Sequence, residues 1–346
     1  MLDPNQKERY SRFISLRDVT DSDMEKILSS KVTVVGAGGL GSPVLRLLTA
    51  LGFGEIRIID HDLVDLSNLQ RQTIYETSDI GSPKAETAAA NLSKLNPDVK
   101  LEPFPVSIRD DNAINLIEGS DVVLDGLDSI TARRAVNKAS ISLGIPYVYA
   151  GAIEYYGNLS TFVPGTTGCL HCLIGDLEDE SVATCSDVGV TPTLLSIMGA
   201  IEVEEALRIV RGKTPLFAGR LLHVDVQTMT LDSFNLEQNR SCPICSKPSA
   251  PLVESNKEPL VTMLCSGSFT IAPPKMTELD LESVSHELDS TYSCKHKKKF
   301  LKIQIDEKVT MTLMRTGNAV INGVHTKEDA LRIYKGIMKS GISLSL

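Results

Sequence analysis

A β-branched run that ends on glycine, followed by a helix and a second strand closed by an acid, leaves a chain few folds to adopt. Lys31-Val32-Thr33-Val34-Val35 has the composition of a buried strand and runs into Gly36-Ala37-Gly38-Gly39-Leu40-Gly41. Leu40 to Leu51 has helical spacing, and Glu55-Ile56-Arg57-Ile58-Ile59-Asp60 reads as a second strand. Together they make a βαβ unit of about 30 residues, as a nucleotide-binding fold requires. A glycine turn between strand and helix lets the backbone approach a phosphate and points the helix N-terminal amides at it. Asp60 lies about 20 residues further on, where a carboxylate binds ribose hydroxyls. Gly36, Gly38, Gly39, Gly41 and Asp60 are therefore candidate nucleotide-binding residues, with a ligand-free tight turn as the plain alternative.

Residues 4–30 read as two polar amphipathic helices, with Arg9 and Arg12 on one face of the first. After the βαβ unit the alternation continues with helices near Pro83–Leu95, Asp110–Glu118 and Ile130–Leu143. Strands near Lys100–Pro105, Asp121–Asp125 and Tyr147–Gly151 lie between and after them. Such interleaving predicts an α/β fold with a Rossmann-like, mostly parallel sheet covered on both faces. Beyond Gly151 the grammar changes to antiparallel strands at Gly157–Val163, Leu221–Asp225 and Thr228–Phe234, with a long helix near Pro192–Arg211. The acidic stretch 175–190 lacks apolar periodicity and is expected to be a mobile loop. A proline-rich polar segment, 247–257, reads as a linker between a domain at 1–246 and a small α+β domain at 258–346.

Charge and composition exclude several classes. The 346 residues carry a formal net charge of -9, which argues against a general nucleic-acid binder because phosphate neutralisation needs a basic surface. Met1 to Gln6 lacks the basic and apolar regions of a secretory leader, and no apolar run is long enough to cross a bilayer. The expectation is a cytoplasmic enzyme with no membrane partner.

Asn68-Leu69-Gln70-Arg71-Gln72 separates two ligand classes. A dehydrogenase needs few cations near its pyrophosphate, whereas a nucleotidyl transferase must neutralise a triphosphate and stabilise the departing pyrophosphate. Arg71, Lys84 and Arg12 are placed in the sequence for the second task. Asp128 follows the strand Val122-Val123-Leu124-Asp125, at the strand end where ligands of open α/β sheets gather. There it would hold Mg²⁺ against phosphates, or simply cap the helix beginning near Ile130. An NAD-dependent oxidoreductase on the same core is the distant alternative.

Seven cysteines, four of them in two C-x-x-C pairs, fit metal or thiol chemistry better than a disulfide framework. Cys169, Cys172, Cys242 and Cys245 have the spacing of two zinc knuckles forming a closed structural site, with His171 facing solvent. Cys185 lies in the acidic loop, outside both pairs. Cys265 and Cys294 have no metal spacing and read as small packed residues. Lys295-His296-Lys297-Lys298-Lys299 reads as a solvated turn, with contact to an acidic partner as the alternative.

Arg9-Tyr10-Ser11-Arg12, the glycine turn, Asp60, Asn68 to Gln72, Gly81-Ser82-Pro83-Lys84 and Leu124-Asp125-Gly126-Leu127-Asp128 occur in the order of a known family. Over about residues 8–246 the chain resembles the MoeB/ThiF/HesA adenylating enzymes, which are related to ubiquitin-activating enzymes. The resemblance implies that ATP and Mg²⁺ are used to adenylate the C-terminal glycine carboxylate of a ubiquitin-like or sulfur-carrier β-grasp protein. It assigns Asp60 to the ribose, Arg71 and Lys84 to the triphosphate, Asn68 and Gln72 to orienting phosphates and carboxylate, and Asp128 to Mg²⁺. Arg12 would reach into a partner subunit's site, which implies a homodimer. Cys185 stands where relatives carry a working cysteine, and as a thiolate it would attack the acyl adenylate and displace AMP. The alternative outcome is a sulfur-carrier thiocarboxylate. Residues 258–346 occupy the place of a ubiquitin-fold domain that recruits a conjugating-enzyme-like protein, an analogy of position that leaves the carrier itself as the other partner.

Overall fold

The computed structural model describes residues 2–179, 188–246, 258–263, 267–274, 277–297 and 300–340. Eight strands form the first sheet: β1 (Lys31–Val35), β2 (Glu55–Ile59), β3 (Lys100–Phe104), β4 (Val122–Asp125), β5 (Tyr147–Ile153), β6 (Tyr156–Phe162), β7 (Arg220–Asp225) and β8 (Thr230–Asn235). Their order is β3-β2-β1-β4-β5-β6-β7-β8. The first five are parallel neighbours, and β6 to β8 continue the sheet antiparallel. The mostly parallel sheet with added antiparallel strands is thus present.

Alternation along the strands explains its two covered faces. Val34, Ile58 and Leu124 enter one apolar core with Leu45 and Leu48 of α4 (Gly41–Leu51), Ala85 of α5 (Lys84–Leu92) and Met198 of a helix at Pro192–Val210. Their neighbours Val35, Ile59 and Val123 enter a second core, with Ile117 of α6 (Ala113–Ile117), Val136 of α7 (Ile130–Leu143) and Leu170 of α8 (Leu170–Ile174). Successive side chains of a strand point to opposite faces, so a continuous apolar run feeds both layers. The helix at Pro192–Val210 is α9.

The N-terminal segment departs from the expected helix pair. It forms α1 (Pro4–Arg9), α2 (Ser11–Ile14) and α3 (Asp21–Ser29). The break falls at Tyr10, whose buried hydroxyl accepts from Asn96 Nδ2 at 3.0 Å. Its ring lies so close to Gly52 that any Cβ at that position would strike it. One long-range contact therefore overrides local helical continuity.

A second, wholly antiparallel sheet contains β9 (Leu260–Met263), β10 (Phe269–Ala272), β11 (Ser293–Lys297), β12 (Phe300–Gln304), β13 (Thr310–Met314) and β14 (Ala319–Asn322). Their order is β11-β12-β13-β14-β10-β9. One face packs under α10 (Leu281–Leu288) and α11 (Lys327–Ser340) through Val284, Leu288, Ala330 and Tyr334. The basic run expected to be a turn supplies part of β11 instead. Among the described residues it is an edge strand paired only with β12, and lysines there oppose further strand addition. Lys298 and Lys299 lie outside the described residues, as does the expected linker 247–257.

The two sheets touch where β3 ends. Pro105 O accepts from Thr316 Oγ1 at 3.1 Å and from Asn318 Nδ2 at 2.6 Å, and Arg109 Nη1 donates to Pro273 O at 3.0 Å. Among the described residues no helix is long and apolar enough to cross a membrane.

Candidate active site

Strand order reverses between β1 and β4, and in open α/β sheets the crevice at that point takes the ligand. The glycine turn closes this crevice, and its glycines divide into two jobs. Gly36 has φ +97°, and a Cβ there would strike the Gly126 carbonyl; a Cβ on Gly41 would strike the Gly36 carbonyl. These two glycines permit backbone-on-backbone packing. Gly38 and Gly39 are half-buried at the open side of the turn. Among the described residues a Cβ on Gly38 would meet only Gln72 Nε2 at 3.8 Å and Gly126 O at 4.0 Å, which leaves room for a ligand there.

Asp60 is 8% exposed and accepts from the Ala37 N–H at 2.7 Å through Oδ2 and from the Asp62 N–H at 2.7 Å through Oδ1. It braces the turn from beneath. Each oxygen keeps a second lone pair for a hydroxyl donor, so bracing and ribose binding are compatible. Burial raises its pKa, and the neighbouring Lys84 opposes that rise.

Lys84 is 5% exposed, with Nζ 3.0 Å from Asp62 Oδ2. Its N–H also donates to Asp62 O at 2.8 Å, so Asp62 holds the lysine at both ends. Burial works against the charge, yet Asp62 and Asp60 outweigh it and raise the pKa, with a smaller contribution from Asp128. Lys84 is thus a fixed buried cation beside the turn. Asp62 escaped the sequence reading, although its place two residues after the strand-ending Asp60 was a usable signal.

Arg71 Nη1 donates to Ser67 O at 2.9 Å, and its Cδ lies 3.6 Å from where a Gly39 Cβ would stand. Gln72 is 3% exposed, lies beside Gly38, and its Oε1 has no hydrogen-bond partner among the described residues. A buried amide oxygen without a donor is uncommon and fits a site built for a ligand. Asn68 Oδ1 accepts from the Asp65 N–H at 3.1 Å, closing the 3-10 turn Leu66–Asn68. The polar stretch therefore lines the turn, with Asn68 also shaping it.

The turn Gly126–Ser129 carries Asp128, which is exposed. Its helix-cap reading is corrected: the N-cap of α7 is Ser129, whose Oγ accepts from the Ala132 N–H at 3.3 Å. Behind Asp128 stands a buried ion pair. Asp125 Oδ2 accepts from Arg133 Nε at 3.0 Å and from the Tyr147 hydroxyl at 2.5 Å, and Oδ1 accepts from the Leu127 N–H at 2.8 Å. Arg133 Nη2 donates to Leu127 O at 2.6 Å and Ala150 O at 2.8 Å. Nothing local in α7 signals this role, because Arg133 meets its partners only when the strands assemble.

Glu202 of α9 is fully buried near this pair, and neither carboxylate oxygen has a hydrogen-bond partner among the described residues. Burial pushes its pKa well above the usual carboxylate range, Asp125 adds to the rise, and Arg133 opposes it. Between the unfolded and folded pKa values the folded state keeps one extra proton, so stability falls as pH rises through that window. The expected result for Glu202→Gln is a higher melting temperature at pH 8, with the difference from the parent shrinking toward pH 5. The gain should be about 1.4 kcal/mol for each pH unit over which the extra proton is held. Equal melting temperatures at pH 8 would remove the basis for a neutral Glu202.

The four paired cysteines converge. Cys169 Sγ lies 3.8 Å from Cys242 Sγ, Cys172 Sγ lies 3.6 Å from Cys245 Sγ, and all four sulfurs fall within 4.8 Å of one another. Tetrahedral thiolate ligation with bonds of about 2.3 Å requires sulfur separations near ~3.8 Å, so the residues fit zinc. His171 Nδ1 is 3.4 Å from Arg134 Nη1 and does not join the cluster. Cys185 and Cys265 lie outside the described residues. Burial and Asp289 push the Cys294 thiol up to about 11, leaving little thiolate at neutral pH. Arg12 is exposed on α2.

The chain is similar to known proteins. Residues 10–244 match the model of the ThiF family. The SAMP-activating enzyme E1 of Haloferax volcanii is 37% identical over 254 residues, which is 73% of this chain and 94% of that protein. The sulfur carrier protein ThiS adenylyltransferase of Bacillus subtilis is 28% identical over 341 residues, covering 94% of this chain and 98% of that protein. Among solved structures, E. coli MccB with succinimide superposes with a TM-score of 0.63 at 22% identity, over 70% of this chain and 74% of MccB, a likeness of fold. With more than two thirds of its length matched by the family model, the chain belongs to the ThiF family.

Proposed function

We propose that this chain adenylates the C-terminal carboxylate of a ubiquitin-like or sulfur-carrier protein. The chain is an ATP-dependent adenylyltransferase, and the oxidoreductase alternative is set aside by family membership. The buried Lys84, held by Asp62 beside the turn, carries the reading, because a fixed cation there suits a triphosphate. Gly38 and Gly39 would admit the phosphates, Asp60 would hold the ribose, and Arg71 with Lys84 would neutralise the triphosphate. Gln72 and Asn68 would orient the carboxylate. An oxygen of the carrier carboxylate attacks the α-phosphorus in line, and pyrophosphate leaves with the electrons of the broken P–O bond. Asp128 would hold Mg²⁺, whose chemistry is to neutralise phosphate charge, and the four cysteines would hold zinc.

The second step is read as loading for sulfur transfer. Relatives named sulfur-carrier adenylyltransferases support it, and the Bacillus subtilis protein aligns through the region after residue 246. Residues 258–346 are accordingly proposed as a separate unit that binds the carrier. A thioester at Cys185 followed by conjugation is the second reading, favoured by the likeness to the SAMP-activating enzyme. We further propose a homodimer in which Arg12 completes the partner's site.

Carrier-dependent exchange of labelled pyrophosphate into ATP tests the first step, and exchange that ignores the carrier would overturn it. For the second, enzyme, carrier and ATP are run on a non-reducing gel. A thiol-sensitive adduct lost in Cys185→Ala assigns the nucleophile to Cys185. An adduct that persists in that variant excludes it.

A further inference from the structure

The carboxylate that secures the start of α7 comes from elsewhere in the chain. Asp179 Oδ1 accepts from the Ile130 N–H at 2.5 Å, and Oδ2 accepts from the Thr131 N–H at 3.2 Å, Thr131 Oγ1 at 2.6 Å and Ser129 Oγ at 3.1 Å. These donors follow Asp128 directly. On its other side, Asp128 is preceded by Leu127, whose N–H and carbonyl are taken by Asp125 and Arg133. Asp128 is therefore the exposed member of a turn gripped at both ends, from the core by the Asp125–Arg133 pair and from the surface by Asp179.

Asp179 is itself held in place. Arg134 Nη2 donates to Gly175 O at 2.8 Å and Leu177 O at 2.8 Å, laying residues 175–179 along α7. This strap follows α8, which holds Cys172 of the four-cysteine cluster. The first residues of the expected mobile loop are thus fixed against the helix that begins just beyond Asp128. An acceptor at a helix start needs only one oxygen for one or two amides. Here two oxygens engage three consecutive residues, which exceeds what ending a helix requires and suits holding the preceding turn in one conformation.

We propose that Asp179 is a positioning residue for Asp128, setting the carboxylate that receives the nucleotide-bound divalent cation. The inference rests on the reading of Asp128 as the cation carboxylate. Removing a group that orients a metal-binding carboxylate weakens metal affinity by about 10- to 100-fold.

The test uses the full chain with a non-hydrolysable ATP analogue and Mn²⁺ as the probe, bound metal being measured by electron paramagnetic resonance. Asp179→Ala should weaken Mn²⁺ binding about 10-fold. It should raise the Mg²⁺ concentration for half-maximal pyrophosphate exchange by a similar factor, while exchange at saturating Mg²⁺ stays within about threefold of the parent. Asp179→Asn keeps one acceptor oxygen and should recover part of the affinity. Thr131→Val, which removes one donor, serves where the alanine variant does not fold. Asp128→Asn is the reference. If Asp128→Asn weakens Mn²⁺ binding and Asp179→Ala and Thr131→Val do not, the positioning role is wrong. If Asp128→Asn leaves Mn²⁺ binding unchanged, the assignment of Asp128 falls, and the inference with it. A lowered melting temperature with unaltered Mn²⁺ affinity would reduce Asp179 to a helix cap.

Discussion

Lys84→Met is expected to lower carrier-dependent pyrophosphate exchange by about 100- to 1,000-fold, the loss typical of removing one fixed group that stabilises transition-state charge. The reason lies in how little freedom the lysine has. It is 5% exposed, and its ammonium sits against Asp62 at 3.0 Å. A cation held this way needs no reorganisation when charge develops on the phosphates. The same variant strips Asp62 and Asp60 of their compensating charge. Removing one partner of a buried pair costs about 3–5 kcal/mol, here less because the Asp62 side chain is 25% exposed. Stability and catalysis are separated by the double variant Lys84→Met/Asp62→Asn. It should regain much of the lost melting temperature and none of the exchange. Recovery of exchange along with stability would mean that Lys84 acts only as a structural counter-ion.

Stripping zinc is the second change with a large expected effect. Purified protein should carry one zinc per chain, and Cys242→Ser should lose it. Structural zinc in small sites contributes apparent binding free energies of about 10–16 kcal/mol, and even a fraction of that is large against the stability of a folded domain. Cys242 and Cys169 are buried, so without a metal they leave thiols crowded around an empty centre. Chelation should therefore lower the melting temperature by more than about 10 °C. Because α8 and the strap 175–179 follow from Cys169, Mn²⁺ affinity at the nucleotide site should weaken in parallel. A metal-free protein that melts with the parent would show that the cluster does not secure the fold.

Much of the first sheet was open to reading because its signals are local. Val32 to Val35 and Ile56 to Ile59 are short runs bounded by glycine or acid, and α7 was legible to its end residues, with Gly144 following at φ 71°. Gly36 to Gly41 announced a phosphate turn. The basic run at Lys295 misled because edge strands tolerate charge, so composition there resembles a turn. Tyr10 misled because a buried contact to Asn96 outweighs helix propensity.

The sequence alone determined the α/β class, the glycine turn and its acid, the polar stretch behind it and the pairing of the cysteines. Each is written in residues adjacent in the chain or at fixed short spacing. Tertiary structure decided which groups act as their supports. Asp62 under Lys84, Arg133 on Asp125 and Asp179 at the start of α7 become partners only on folding, the last from 48 residues or more away. Assembly also decided which glycines face a ligand. Gly36 and Gly41 are spent on backbone packing against residues brought in by β4 and the turn itself, a Cβ on Gly39 would strike Leu195, and among the described residues Gly38 keeps the open space. Short-range order specifies the chemistry available, and long-range packing decides which side chain is held still enough to use it.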